Sequence, residues 1–155
     1  MDDMRDLIAE FGLFAGLPKE TIELAAGCAK NVAFDAGARI LTEGHSAETF
    51  YLIRRGRASL QVRRPSGKAI LIETLGPGSV LGLSWLVPPY RWHFDAVALE
   101  PVGAVAIDGA CLRGKADADS SFGYGLLQRI SQVLLERLQS TRERLLDVYG
   151  SDLSR

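Results

Sequence analysis

Hydrophobic and polar positions change their period twice along this chain. Over residues 2–15, Met4, Leu7, Ile8, Phe11 and Phe14 fall on one helical face, which predicts an amphipathic helix. Pro18 opens a second helical run in which Ile22, Leu24, Ala25 and Cys28 are apolar, because proline suits a first turn whose N–H groups have no partner. From Asn31 to Asp108 the texture becomes a series of short β-rich pieces: VAFDAG, RILTEG, TFYLIRRG, RASLQVRR, AILIETLGPG and DAVALEPVGAVAID. Glycines and other turn residues separate them, and that spacing predicts a sandwich, barrel or roll. The intervening GLSWLVPPY is too bulky and proline-rich for a regular strand; it predicts a short helical turn followed by a rigid loop.

A polar link is expected over residues 113–121, after which helical spacing returns. Leu127, Ile130, Leu134, Leu138, Thr141, Leu145 and Val148 follow steps averaging 3.5 residues, the period of a coiled-coil seam. Leu126 and Val133 widen the stripe, so one flank can cover the β-rich body while the seam meets a second copy. The alternative is a helix packed wholly on its own domain. Gly150 is expected to end the helix, which then spans residues 120–150.

The length of 155 residues suits one domain over 1–155: helices in 1–30, a β-rich body over 31–112 and the final helix. With 18 basic and 19 acidic residues there is no global field to drive attachment to nucleic acid or anionic lipid, so partners must be recognised locally. Cys28 and Cys111 lie far apart without metal-ligand spacing, which favours a reduced interior with two free thiols. The opening MDDMRDLIAEF starts acidic and has no uninterrupted apolar run, so neither signal peptide nor membrane span is expected, and a cytoplasmic location follows.

The stretch Ile40-Leu41-Thr42-Glu43-Gly44, then Phe50-Tyr51-Leu52-Ile53, then Gly56, Leu60 and Val62, resembles the opening half of the cyclic-nucleotide-binding domain of catabolite-activator-type (CRP/FNR) regulators, kinase regulatory subunits and gated channels. Gly76-Pro77-Gly78, Gly82 and Ala98-Leu99-Glu100-Pro101 fall where that family places its turn glycines and last roll strand. The resemblance covers roughly residues 10–149. It implies a mainly β fold with flanking helices: a double-stranded, jelly-roll-like β-roll with N-terminal helices and a long C-terminal dimerisation helix.

The same resemblance makes residues 82–95 a phosphate-binding cassette. In the family a short helix there turns its N–H groups to the cyclic phosphate, an Arg neutralises the charge and a Glu accepts from the ribose. Gly82 and Ser84 can supply the amide cradle, but the Glu position holds Leu83 and the Arg position holds Trp92. Strand alternation puts Trp92, Phe94, Ala96 and Ala98 on the interior face and Arg91, His93, Asp95 and Val97 on the other. A one-residue bulge after Pro88-Pro89 would instead swing Arg91 inward. Losing the charged partner and the ribose acceptor forfeits roughly 1.5–3 kcal/mol for the first and a comparable bond for the second. That is about a hundredfold to ten-thousandfold in affinity. A Leu83/Trp92 pair suits a flat or apolar ligand, or simply fills the pocket. In the tail, Arg137-Leu138-Gln139-Ser140-Thr141-Arg142-Glu143 resembles the family helix whose Thr caps the purine, making Thr141 with Arg142 a lid; a hydroxyl bonded back to its own helix is the competing account of Thr141.

Other signals carry less. Gly76 to Gly82 has the wrong glycine spacing for a dinucleotide loop. His45 and His93 have no second ligand at metal spacing, so no metal is expected. Arg54, Arg55, Arg57, Arg63 and Arg64 form a basic hairpin that a solvated strand edge equally explains. No nucleophile with its base and no spaced carboxylate pair is present, so no catalytic residue and no enzyme are expected. The preferred reading is a regulatory sensor needing no cofactor, with a cyclic nucleotide (cAMP or cGMP) or related molecule as effector, signalling through a homodimer to an unidentified protein. The ligand set expected is Gly82, Leu83, Ser84, Arg91, Trp92, His93, Thr141 and Arg142. The competing reading is a scaffold with a degenerate pocket. Only five residues follow Gly150, so no recognition helix and no direct DNA binding are expected, and the near-balanced charge and the absence of an apolar opening run lead to no expected membrane partner.

Overall fold

The computed structural model describes residues 3–153, so the start of the first expected helix at residue 2 and both chain ends lie outside the described residues. Helix α1 (Met4–Ala9) is capped by Asp3, whose carboxylate accepts from the Asp6 N–H at 3.1 Å. It is shorter than its apolar stripe predicts: Phe11 and Phe14 are buried, but they sit in turns after the helix. Helix α2 (Lys19–Ala26) starts directly after Pro18.

Eight strands follow: β1 (Ala29–Phe34), β2 (Arg39–Leu41), β3 (Thr49–Arg55), β4 (Ala58–Arg63), β5 (Ala69–Leu75), β6 (Val80–Leu81), β7 (Asp95–Ala98) and β8 (Val102–Asp108). They form two antiparallel four-stranded sheets with orders β1-β8-β3-β6 and β2-β7-β4-β5. The last β-rich piece of the sequence is two strands, one in each sheet, split by Leu99-Glu100-Pro101, because Pro101 and the change of sheet interrupt the ladder. The jelly-roll with flanking helices expected from the resemblance is therefore the fold.

The polar link is not a loop. Residues Gly109–Ala118 form helix α3, capped by Asp108, which accepts from the Cys111 N–H at 2.9 Å, and anchored by buried Leu112. Asp119 alone separates it from α4 (Ser120–Leu153), where its carboxylate accepts from Ser121 and Phe122 N–H at 3.1 and 3.2 Å. Helix α4 runs through Gly150 to Leu153, since one exposed glycine costs only about 1 kcal/mol in a helix and is not an obligatory stop.

One buried cluster joins Ile8 and Phe14 before the roll, Phe50, Leu52, Val105 and Ile107 in it, and Leu112, Phe122, Leu126 and Ile130 after it. Ile130 thus belongs to the roll-facing flank of α4 rather than to a free seam. Leu127, Leu134, Leu138, Leu145 and Val148 stay half or more exposed. The cysteines are also corrected: Cys28 and Cys111 are joined in a disulfide, with Cα atoms 5.8 Å apart across 83 residues, because the fold returns α3 to the junction of α2 and β1. Among the described residues, no helix is long and apolar enough to cross a membrane, and no cluster of His, Cys, Asp or Glu could hold a metal ion.

Candidate functional site

The segment after β6 takes its shape from Gly82. Its φ of +96° is one that L side chains rarely adopt, and a Cβ built there would lie 2.7 Å from Cη2 and Cζ3 of Trp92. The indole of Trp92 therefore lies against the bare backbone at the entrance of the cassette. It is buried, as strand alternation predicts, and its backbone is fixed on both sides: its N–H donates to the His45 carbonyl at 3.0 Å and its carbonyl accepts from Gly44 N–H at 2.9 Å.

Between these two residues the expected helical turn is absent; residues 84–89 are a succession of turns and bends. Two consecutive prolines supply no N–H donors, and the residue before a proline is held out of the helical region, so the helix of the family cassette has no continuation here. Trp85 goes fully inside, stacked on Phe50 with ring centroids 4.5 Å apart. The Arg113 guanidinium lies 4.2 Å over the Tyr90 ring and donates to the Trp85 carbonyl, so α3 clasps the segment from outside.

Arg91 is exposed and donates to the Gly44 carbonyl at 2.9 Å, so the bulge that would have turned it inward is not adopted. His93 and Arg142 are exposed, and Leu83 and Ser84 half-buried. Thr141 is exposed and its Oγ1 donates to the Arg137 carbonyl at 2.8 Å, the helix-internal bond weighed above. Asp95, assigned by alternation to the outer face, is buried instead: it accepts from the Glu43 N–H at 2.8 Å and from Arg63 Nε at 3.3 Å, and these bonds offset its desolvation. Within the basic hairpin, Arg57 pairs with Glu100 at 3.4 Å and Arg63 with Asp95.

Of the eight expected ligand residues, Gly82 and Trp92 are brought into contact, and Trp92 lines a cleft of about 220 Å³ with Tyr51, Leu41 and His45. None of the eight lines the larger cleft of about 360 Å³ under α4, whose walls include Glu73, Ser79, Val80, Arg129, Val133 and Arg137. Arg137 donates to the Val80 carbonyl; its burial pulls the guanidinium pKa below the ordinary value, with Glu73 opposing. Arg144 binds the Ile72 carbonyl at 2.8 Å and the Glu73 carboxylate at 3.5 Å, tying α4 to the edge strand β5. Arg129, Val133 and Arg137 recur every four residues, a spacing that in retrospect marks one helix face looking into the cleft.

A model of the cyclic nucleotide-binding domain matches residues 31–119, more than half of the chain. The chain belongs to that family. Within it, a curated relative is the CRP-like cAMP-activated global transcriptional regulator of Mycobacterium tuberculosis, 26% identical over 151 residues. That alignment covers 97% of this chain and 65% of the relative, so the chain spans just under two thirds of the relative's length. A Geobacter metallireducens GS-15 structure described as a cyclic nucleotide-binding protein superposes with a TM-score of 0.77 at 27% identity, covering 86% of this chain and 97% of the other. The Thermus thermophilus catabolite activator protein superposes at 0.70 with 22% identity, covering 90% of this chain and 63% of the other, a likeness of fold. This chain thus carries a cyclic nucleotide-binding domain and is similar over nearly its whole length to a CRP-like regulator.

Proposed function

We propose that this cyclic nucleotide-binding domain is a sensor that holds a small anionic effector, a cyclic nucleotide or a related molecule, in the cleft between the roll and α4, and passes its state on through a dimer of α4. The observation that carries the reading is Arg137: a half-buried cation on α4 bonded to the Val80 carbonyl at the mouth of the cassette, with Arg129 and the Glu73 carboxylate lining the same cleft. An effector phosphate there competes for Arg137 and changes how α4 is held, which is the differential contact a two-state signal requires. The cleft volume of about 360 Å³ falls within the range of small-molecule sites. Support for the dimer comes from the exposed line Leu127, Leu134, Leu138 and Leu145, with Thr141 the small polar member of the seam.

One observation favours the second reading, a scaffold with a degenerate pocket: the Trp92 indole, at the position the resemblance assigns to the phosphate-neutralising arginine, packs against the bare backbone of Gly82. Thermal-shift titration with cAMP and cGMP separates the two. A competent site stabilises the fold by about 2.7 kcal/mol at a ligand concentration a hundred times Kd. Arg137→Met should abolish that shift and Arg91→Ala should leave it intact. No shift at millimolar nucleotide removes cyclic nucleotides as effectors and leaves the scaffold reading standing.

A further inference from the structure

Helix α3 contacts the segment after β6, helix α4 and helix α2. Arg113 contacts the cassette through the Trp85 carbonyl and the Tyr90 ring. Ala116 packs so tightly on α4 that a Cβ at Gly123 would lie 3.2 Å from its methyl and 3.1 Å from its carbonyl oxygen. Toward α2 the same helix is held by Lys115, which donates to the Leu24 carbonyl at 2.7 Å, and by the covalent bond from Cys111 to Cys28. That bond is not sealed in the core. Cys111 is half-exposed, and both cysteines line an open cleft of about 320 Å³ together with Lys30, Thr49 and Asp108.

We propose that Cys28–Cys111 is a thiol-exchange site, reduced by a dithiol, that latches α3 and with it the root of α4 to the α2–β1 junction. A thiolate of the reductant attacks the more exposed Cys111 sulfur, the disulfide breaks, and Cys28 leaves as a thiolate that takes up a proton. The second thiol of the reductant then attacks the mixed disulfide and departs as the oxidised disulfide, releasing Cys111. Two electrons and two protons have passed to the chain. With the bond open, Lys115 remains as the polar tie from α3 to α2, so α3 and the first turns of α4 loosen while the sheets persist.

The test uses the whole chain and is independent of whether any nucleotide binds. The folded protein is treated with dithiothreitol, alkylated with iodoacetamide and followed by intact mass, far-UV circular dichroism and hydrogen exchange. The expected result is two carbamidomethyl groups, an unchanged sheet spectrum and exchange faster by about tenfold or more over residues 109–130. The double variant Cys28→Ser/Cys111→Ser should show the same exchange without reductant. Resistance of the native protein to alkylation, loss of the sheet spectrum on reduction, or alkylation with unchanged exchange at 109–130 would each overturn the proposal.

Discussion

Replacing Gly82 by alanine probes the contact that closes the cassette. Two costs arise at this position and they are separable. The backbone φ of +96° strains any L residue by about 1–2 kcal/mol whatever surrounds it. The new methyl would also meet Trp92 ring atoms at 2.7 Å, and forcing a buried ring aside costs about 1–3 kcal/mol. Gly82→Ala should therefore cost about 3 kcal/mol in the wild-type background. In a Trp92→Leu background, itself destabilised by on the order of 2 kcal/mol, the steric part disappears and the backbone part of about 1–2 kcal/mol remains. The double-mutant cycle should return a coupling of about 1–3 kcal/mol. Urea unfolding at one fixed protein concentration reads it, followed by circular dichroism so that loss of an indole does not distort the signal. With m of about 1–3 kcal/mol per molar, the midpoint moves by roughly 1–3 M in one background and by clearly less in the other. Equal losses in both backgrounds would refute the packing of Trp92 on Gly82.

Three more outcomes follow from the same contacts. Asp95→Ala leaves the Glu43 N–H without its acceptor and should cost about 2 kcal/mol, seen in calorimetry as a Tm drop of about 4–8 °C; an unchanged Tm would show the buried carboxylate contributes nothing. Burial raises the Tyr51 phenol above its ordinary 10.0, so its contribution to stability is complete below pH 10 and is lost as pH climbs through the folded-state value. Tyr51→Phe should flatten that alkaline decline in urea midpoints measured from pH 8 upward, and an identical decline in both proteins would place its origin elsewhere. Leu134 is 50% exposed in the single chain, and Leu134→Glu should halve the mass found by sedimentation while leaving the circular dichroism of the roll unchanged; an unaltered mass contradicts the seam.

Periodicity alone determined the parts of this protein that depend on local spacing. The strand pieces and their glycine corners, the two flanks of α4 and the inward side of Trp92 all follow from which residues must leave water on an element of known period. Ile130 left the expected seam for the roll-facing flank of α4, and at Asp95 distant partners overrode the alternation. Asp95 is buried because Glu43, 52 residues away, and Arg63 satisfy it there, and alternation carries no information about such partners. Helix α3 stayed hidden because Leu112 and Gly109 are its only fully buried residues, so its stripe is too faint to read. The disulfide, the clasp of Arg113 on Tyr90 and the link from Arg137 to Val80 span 83, 23 and 57 residues and exist only once both sheets have closed. Such pairings depend on how loops bring distant surfaces together, and neither residue type nor spacing along the chain encodes that.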